Sequence, residues 1–250
     1  MEQKTTNQFP SEEVTLPSKG LLYPQDSILR KGVIEMKYMT AREEDILTNS
    51  NLIEKGEVID KLLQSLILTP CDYNELLSGD KNAIMVAARI LGYGSEYTFQ
   101  YDGEDHTIDL TSIQDKKIHK DIKGAEKNEF NYTFPISKIN ITFKFLSHKD
   151  EQSLAKELKG LGKISKAILP EVSTRMKYII TSINGDYDTK TIRDFVDKQL
   201  LARDARALRN YITERIPDID LTFNHEDAKG DIHEVAIPIN VQFFWPDAEV

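Results

Sequence analysis

Two stretches of this chain follow the same order of residue types. Leu76 to Leu110 reads LLSGDKNAIMVAARILGYGSEYTFQYDGEDHTIDL, and Leu200 to Ile239 reads LLARDARALRNYITERIPDIDLTFNHEDAKGDIHEVAIPI. A shift of 124 residues sets Leu76-Leu77 on Leu200-Leu201, Asp80 on Asp204 and Thr98-Phe99 on Thr222-Phe223. Each stretch has a Leu-Leu pair, an Asp opening a helical pattern, then Thr-Phe in a strand, a polar turn and a second strand. Upstream, Glu35 to Thr40 is followed by Arg42, Glu43, Glu44 and Asp45, while Thr142 to Ser147 is followed by His148, Lys149, Asp150 and Glu151. In both places an alternating strand runs into a hydroxyl residue suited to cap a helix, and carboxylates in the next turn suit the positive helix end. Apolar helical spacing follows at Ile59, Leu62, Leu63, Leu66 and Ile67, and again at Met176, Ile179, Ile180 and Ile183. The pattern reads as an internal duplication of a strand–helices–hairpin unit of roughly 100 residues, too long for a solenoid repeat.

The expected fold class is therefore α+β, with two related lobes, each a helical cluster with a small antiparallel sheet or hairpin. Residues 1–24 form an extended N-terminal arm, 25–112 the first lobe, 113–131 a charged linker, and 132–250 the second lobe with an aromatic C-terminal tail. Asp102-Gly103 is a strong hairpin signal between strands at Tyr97–Tyr101 and His106–Leu110. In the second half, helices are expected at Lys149–Leu161, around Lys163–Ser182, at Thr189–Leu201 and at Asp204–Ile216. Pro238 marks the last strand, placed at Glu234–Val241, as a sheet edge.

With 40% hydrophobic and 29% charged residues, a chain of 250 residues has the composition of a soluble protein with a substantial core. No apolar run approaches the ~20 residues that cross a bilayer, and the N-terminus lacks the apolar core of a signal peptide. The net charge of −9 disfavours unspecific binding to nucleic acid or anionic membranes, which favour clustered cations. One cysteine, Cys71, rules out an internal disulfide and any Cys-rich metal cluster.

Motifs for catalysis are weak. Gly160-Leu161-Gly162-Lys163-Ile164-Ser165 carries Gly-Lys, but Glu157 stands where a phosphate loop needs its first glycine. There is no Gly-x-Ser-x-Gly and no His-Glu-x-x-His. His225, Asp227, Asp231 and His233 surround the second hairpin's turn and His106 lies in the first; without thiolates they read as solvated turn residues more readily than as a zinc site. No enzymatic activity, no metal and no cofactor is expected.

The ends of the chain carry the interface candidates. Leu16, Pro17, Leu21, Leu22 and Tyr23 lie in a Pro- and Gly-bearing stretch that resists a regular helix, and an extended arm would lay them in a groove. That groove belongs either to the same fold or to a neighbouring subunit. At the other end Phe243, Phe244 and Trp245 cannot all enter one core from a strand, because successive side chains face opposite sides. They either cap their own hairpin or anchor a contact with another chain.

These residues also carry a resemblance. The chain resembles the baseplate hub family of contractile-tailed, T-even-type bacteriophages. The likeness rests on Leu16-Pro17-Ser18-Lys19-Gly20 with Tyr23, Met39 to Thr48, Ile59-Asp60-Lys61-Leu62-Leu63, Gly79-Asp80, Arg89-Ile90, Tyr93 to Tyr97 and Phe243-Phe244-Trp245-Pro246. It departs where several relatives carry Cys-x-x-Cys pairs, since both hairpin turns here lack cysteine, and metal binding is not carried over. The resemblance implies a structural component of the central baseplate hub, bound to other hub subunits and to the tape-measure protein in a homo-oligomeric ring. Such a component is assembled in the host cytoplasm and resides in the virion. The alternative is a tail-assembly chaperone for the tape-measure protein that is absent from the virion. Deleting residues 1–24 is expected to leave a folded protein with reduced incorporation into hub complexes, because the arm's apolar residues would contact a neighbour.

Overall fold

The computed structural model describes residues 10–123, 125, 127–164, 169–227 and 229–244. The chain is α+β, a set of helices with small antiparallel sheets. It opens with β1 (Ser11–Thr15), which pairs antiparallel with β2 (Val33–Lys37) through Ser11↔Lys37 to Thr15↔Val33. Three helices follow: α1 (Ala41–Leu47), α2 (Ser50–Lys55) and α3 (Val58–Leu66). The Thr40 amide donates to Glu43 Oε2 at 3.0 Å, and Lys37 Nζ donates to Glu43 Oε1 at 2.8 Å. Asn49 caps α2 by accepting from the Leu52 amide, and Gly56 ends it in the left-handed region at φ 71°. After α3 the chain returns to the sheet edge, where Ile67 bridges Met36 and the Leu68 amide donates to the Glu35 carbonyl.

The long helix α4 (Ser78–Tyr93) leads into the hairpin of β3 (Glu96–Tyr101) and β4 (Glu104–Asp109). Asp102 and Gly103 both have positive φ, 51° and 80°, which makes their two-residue turn match the twist of the strands. The connector, read as a charged linker, is pinned to the second half. Asp115 bridges Ile219, Ile122 on the short helix α5 (Lys120–Lys123) is fully buried, and Arg215 Nε donates to Asp121 at 3.2 Å.

The second half begins with β5 (Phe130–Thr133) and β6 (Asn140–Phe143), then α6 (His148–Ile164) and α7 (Glu171–Ile179). The expected helix through Ser182 stops at Ile179; Ile180–Ile183 is a strand, β7, and completes a sheet of order β5-β6-β7. The β-branched run Ile180, Thr181, Ile183 favours the strand, and β6 supplies the ladder partner. Two helices, α8 (Thr189–Lys198) and α9 (Ala202–Thr213), lead to the hairpin β8 (Thr222–Glu226) and β9 (Ile232–Ala236). Pro238 lies beyond β9, where its carbonyl accepts from the Tyr97 hydroxyl at 2.8 Å.

Local polar arrangements recur between the halves. Lys144 and the Ser147 amide hold Asp150 as Lys37 and the Thr40 amide hold Glu43. Lys19 and Lys138 each follow a serine in a hairpin loop, and both take the left-handed conformation, at φ 51° and 60°.

One continuous set of buried side chains runs through both halves. The Ser78 amide donates to the Leu146 carbonyl at 3.3 Å and the His148 amide to the Leu76 carbonyl at 2.7 Å. Gly79 sits so close to the second half that a Cβ there would lie 1.9 Å from the Pro217 carbonyl oxygen, so only glycine fits. Phe99 meets Phe223 edge to face at 5.0 Å, joining the two hairpins.

The N-terminal arm is part of this core. Leu16, Pro17, Leu22 and Tyr23 are buried by the chain itself, so removing residues 1–24 strips core side chains and the partner of β2. Each such side chain contributes ~1.5–3 kcal/mol by burial, and their sum approaches the ~5–15 kcal/mol net stability of a typical domain. The expectation of a folded truncation is therefore reversed: the deletion is predicted to abolish the cooperative thermal transition, as followed by circular dichroism.

Candidate functional site

The N-terminal loop is held by a carboxylate that has no contact with solvent. Asp80, in the first turn of α4, is fully buried. Its Oδ1 accepts from the Ser18 amide at 2.8 Å; its Oδ2 accepts from the Ser18 hydroxyl at 2.7 Å and the Tyr23 hydroxyl at 2.6 Å. The Tyr23 oxygen in turn accepts from the Leu77 amide at 3.0 Å, one of the amides left free at the start of α4. Burial pushes the Asp80 carboxyl upward despite these donors, and burial beside Asp80 likewise raises Tyr23.

Asp204 occupies the matching place in α9. It too is fully buried, and it accepts from the amides of Ile136 at 2.9 Å and Ser137 at 3.0 Å, in the loop between β5 and β6. Burial works against its charge, but those amides, the Ser137 hydroxyl and Arg203 outweigh it and hold Asp204 below the usual carboxylate range. Both carboxylates thus tie the loop of a hairpin to the first turn of a later helix.

Among the interface candidates, Leu16, Pro17, Leu22 and Tyr23 are buried, and Leu21 is partly buried against the same core. Phe243 and Phe244 are both fully buried, on α10 (Val241–Phe244). In a helical turn neighbouring residues are only about 100° apart, so both can face inward where a strand would have split them. Phe243 meets Tyr97 edge to face at 4.8 Å. Trp245 lies outside the described residues. The described candidates are covered by their own chain, and Phe243 packs on Tyr97 of the first half's hairpin instead of capping its own.

The structure brings His106 and His225 together, with ring centroids 5.3 Å apart, inside an aromatic cluster with Tyr101 and Phe223. His233 and Asp227 stay at the second turn, 3.1 Å apart, where Asp227 also accepts from the Lys229 and Asp231 amides. Among the described residues no group of three or more His, Cys, Asp or Glu side chains is arranged to hold a metal ion. Burial raises the Cys71 thiol's pKa, which works against thiolate chemistry there.

A cluster that sequence reading missed joins the halves. Asp60 Oδ1 accepts from Lys81 Nζ at 2.5 Å and from the Tyr73 hydroxyl at 2.9 Å. Lys81 Nζ lies 3.4 Å from His148 Nδ1, and His148 Nε2 lies 3.5 Å from Asp60 Oδ2. His148 is buried, and Tyr73 packs its ring edge to face at 4.6 Å. Burial and the Lys81 charge push the imidazole's pKa down, outweighing Asp60 and Glu151. Ammonium at Nδ1 fits a neutral ring protonated at Nε2. The residues come from α3, the 3-10 turn Tyr73–Glu75, α4 and α6, and no spacing in the sequence links them.

The chain matches the family described as T4 bacteriophage base plate protein over residues 11–245, nearly its whole length, and belongs to that family. Membership supports a structural role in a phage tail baseplate, among other baseplate components. No curated protein and no solved structure matches the chain. Among the described residues no helix is long and apolar enough to cross a membrane.

Three outcomes follow from the buried groups. Asp80→Ala leaves the Ser18 amide and the Ser18 and Tyr23 hydroxyls without their acceptor and is predicted to cost ~3 kcal/mol or more in chemical denaturation. Asp204→Ala, which frees two amides nearer the surface loop, costs less, ~1–3 kcal/mol. For His148 the folded state resists protonation, so the unfolded state binds the extra proton as pH falls below 6.5. Stability contributed by the neutral ring is thus present above that pH and lost below it; the melting temperature should drop from pH 7 to pH 5.5, and His148→Gln should shallow that slope.

Proposed function

We propose that this protein is a structural component of the central hub of a contractile-tail baseplate, binding other hub subunits and the tape-measure protein during tail assembly. On this reading it is present in several copies and acts by presenting surfaces, without catalysis. The observation that carries the proposal is the family match over residues 11–245. The way the chain spends its polar chemistry supports it: Asp80, Asp204 and the Asp60–Lys81–His148 cluster all bind parts of the fold to one another. The same reading takes the two halves as copies of one ancestral unit, supported by the matched carboxylate and capping arrangements.

Quantitative mass spectrometry of purified virions, with tail baseplates imaged by electron cryomicroscopy, tests the proposal. A fixed stoichiometric amount, located at the central hub next to the tape-measure protein, is expected. Absence from virions, with assembly still dependent on the gene product, would assign the protein to the chaperone role instead.

A further inference from the structure

Charge is divided unevenly along this chain. Residues 1–112 hold 10 Lys and Arg against 19 Asp and Glu, whereas residues 113–250 hold 22 against 22. The whole excess of negative charge therefore lies in the first half. Within it the β3–β4 hairpin carries Glu96, Asp102, Glu104, Asp105 and Asp109, all exposed, and no lysine or arginine.

The second half contains a surface of the opposite character. On α9, Arg203, Arg206 and Arg209 are exposed and spaced to fall on one side of the helix. Arg203 acts electrostatically on the buried Asp204, but none of the three guanidinium groups makes an ion pair or hydrogen bond among the described residues. By contrast Arg175 is paired with Glu151, Arg193 with Glu157 and Arg215 with Asp121.

Beside this row runs an apolar trough of about 480 Å³, lined by Leu169, Val172, Met176, Val196, Leu200 and Ala205, with Glu171 as its one carboxylate among the described lining residues. Leu169, Val172 and Leu201 are 41%, 46% and 45% exposed, and Ile136, whose amide binds Asp204, is 41% exposed. Large aliphatic side chains gathered at this level of exposure are what a buried contact would cover. Arginine beside apolar surface is also the composition that protein interfaces favour.

We propose that the α9 face, the arginine row with its apolar trough, docks the acidic β3–β4 hairpin of a second copy of this chain. The occupant is chosen by charge: a uniformly acidic chain would repel its copies, but here the excess acid lies in one half and the exposed arginine row of α9 in the other. Tyr101, 37% exposed at the hairpin's end, supplies an aromatic group for the trough. The contact is head to tail, so each copy keeps one free face of each kind, and repetition gives a ring or an open chain according to the angle between copies. This inference rests on the several-copy part of the proposed function alone and names the surfaces that make the contact. Its test uses the isolated full-length protein, so it can fail while the baseplate assignment stands.

Sedimentation equilibrium of the full chain at about 50 mM and about 500 mM salt reads the association, since screening shortens from well beyond 10 Å to a few ångströms over that range. Self-association at low salt, weakened at least ~10-fold at high salt, is expected. Arg203→Glu, Arg206→Glu and Arg209→Glu together should give a monomer, and so should Glu104→Lys with Asp105→Lys. An equimolar mixture of the two variants should associate again, because each reversed surface then meets its complement. The milder Arg→Gln changes at the same three positions should weaken association ~10-fold. The changes at Arg206, Arg209, Glu104 and Asp105 are expected to keep the melting temperature of the unchanged protein, and those at Arg203 to lower it slightly, because Arg203 supports the charge of Asp204. A native chain that stays monomeric to ~1 mM, where a contact of even ~4 kcal/mol would show, overturns the proposal. Association indifferent to the arginine changes, or a mixture that fails to reassemble, overturns it equally.

Discussion

A carboxylate taken wholly out of water must be given hydrogen-bond donors, and the way Asp80 obtains them sets the geometry of the first half. Its donors come from Ser18 and Tyr23, about sixty residues earlier in the chain. To deliver them, the loop between β1 and β2 has to lie across the start of α4. The same loop then delivers Leu16 and Leu22 to the core, and β1 is left beside β2 as its ladder partner. Burial raises the carboxyl's pKa, so the lock works against a desolvation cost and depends on all three donors being present. Asp204 repeats the arrangement with the Ile136 and Ser137 amides as its donors and keeps a depressed pKa.

From these two locks the halves are brought to one body. The start of α4 that holds Asp80 also touches the second half: Gly79 lies against the Pro217 carbonyl, and the Ser78 amide reaches Leu146. Close by, His148 at the start of α6 sits among Tyr73, Lys81 and Asp60. The two terminal hairpins meet through Phe99, Phe223, His106 and His225, and Phe243 closes on Tyr97. A molecule built in this way turns both described ends inward. For a baseplate component, hairpin edges and helix faces are among the surfaces left for neighbours, the arginine face of α9 included.

Much of the fold was legible in the sequence. Asp102-Gly103 announced its hairpin, Thr40 and Ser147 announced their helices, and the Asp80 and Asp204 correspondence pointed at two positions that turn out to be equivalent in role. What sequence could not show was long-range satisfaction of polar groups. Ser18 and Tyr23 read as parts of an extended arm laid in a groove of either the same fold or a neighbour, because their partner, Asp80, is distant in the chain and carboxylates default to solvent. Phe243 and Phe244 were read with the two-residue period of a strand, and one helical turn changed which way they face. The strand at Ile180–Ile183 was hidden because its apolar spacing continues that of α7, and only the presence of β6 beside it decides the conformation. The Asp60, Tyr73, Lys81 and His148 cluster left no sequence signal, since its members come from four separate elements.

The central claim is that the N-terminal segment is built into the core of the free protein by the Asp80 lock, before any partner is met. Hydrogen–deuterium exchange of the isolated chain at the Ser18 amide and through Leu16–Tyr23 tests it most directly. Protection comparable to the interior of α4, lost together with it on global unfolding, is the predicted result. Exchange of this segment within seconds while α4 stays protected would contradict it, and would show an arm that waits for a neighbour to order it.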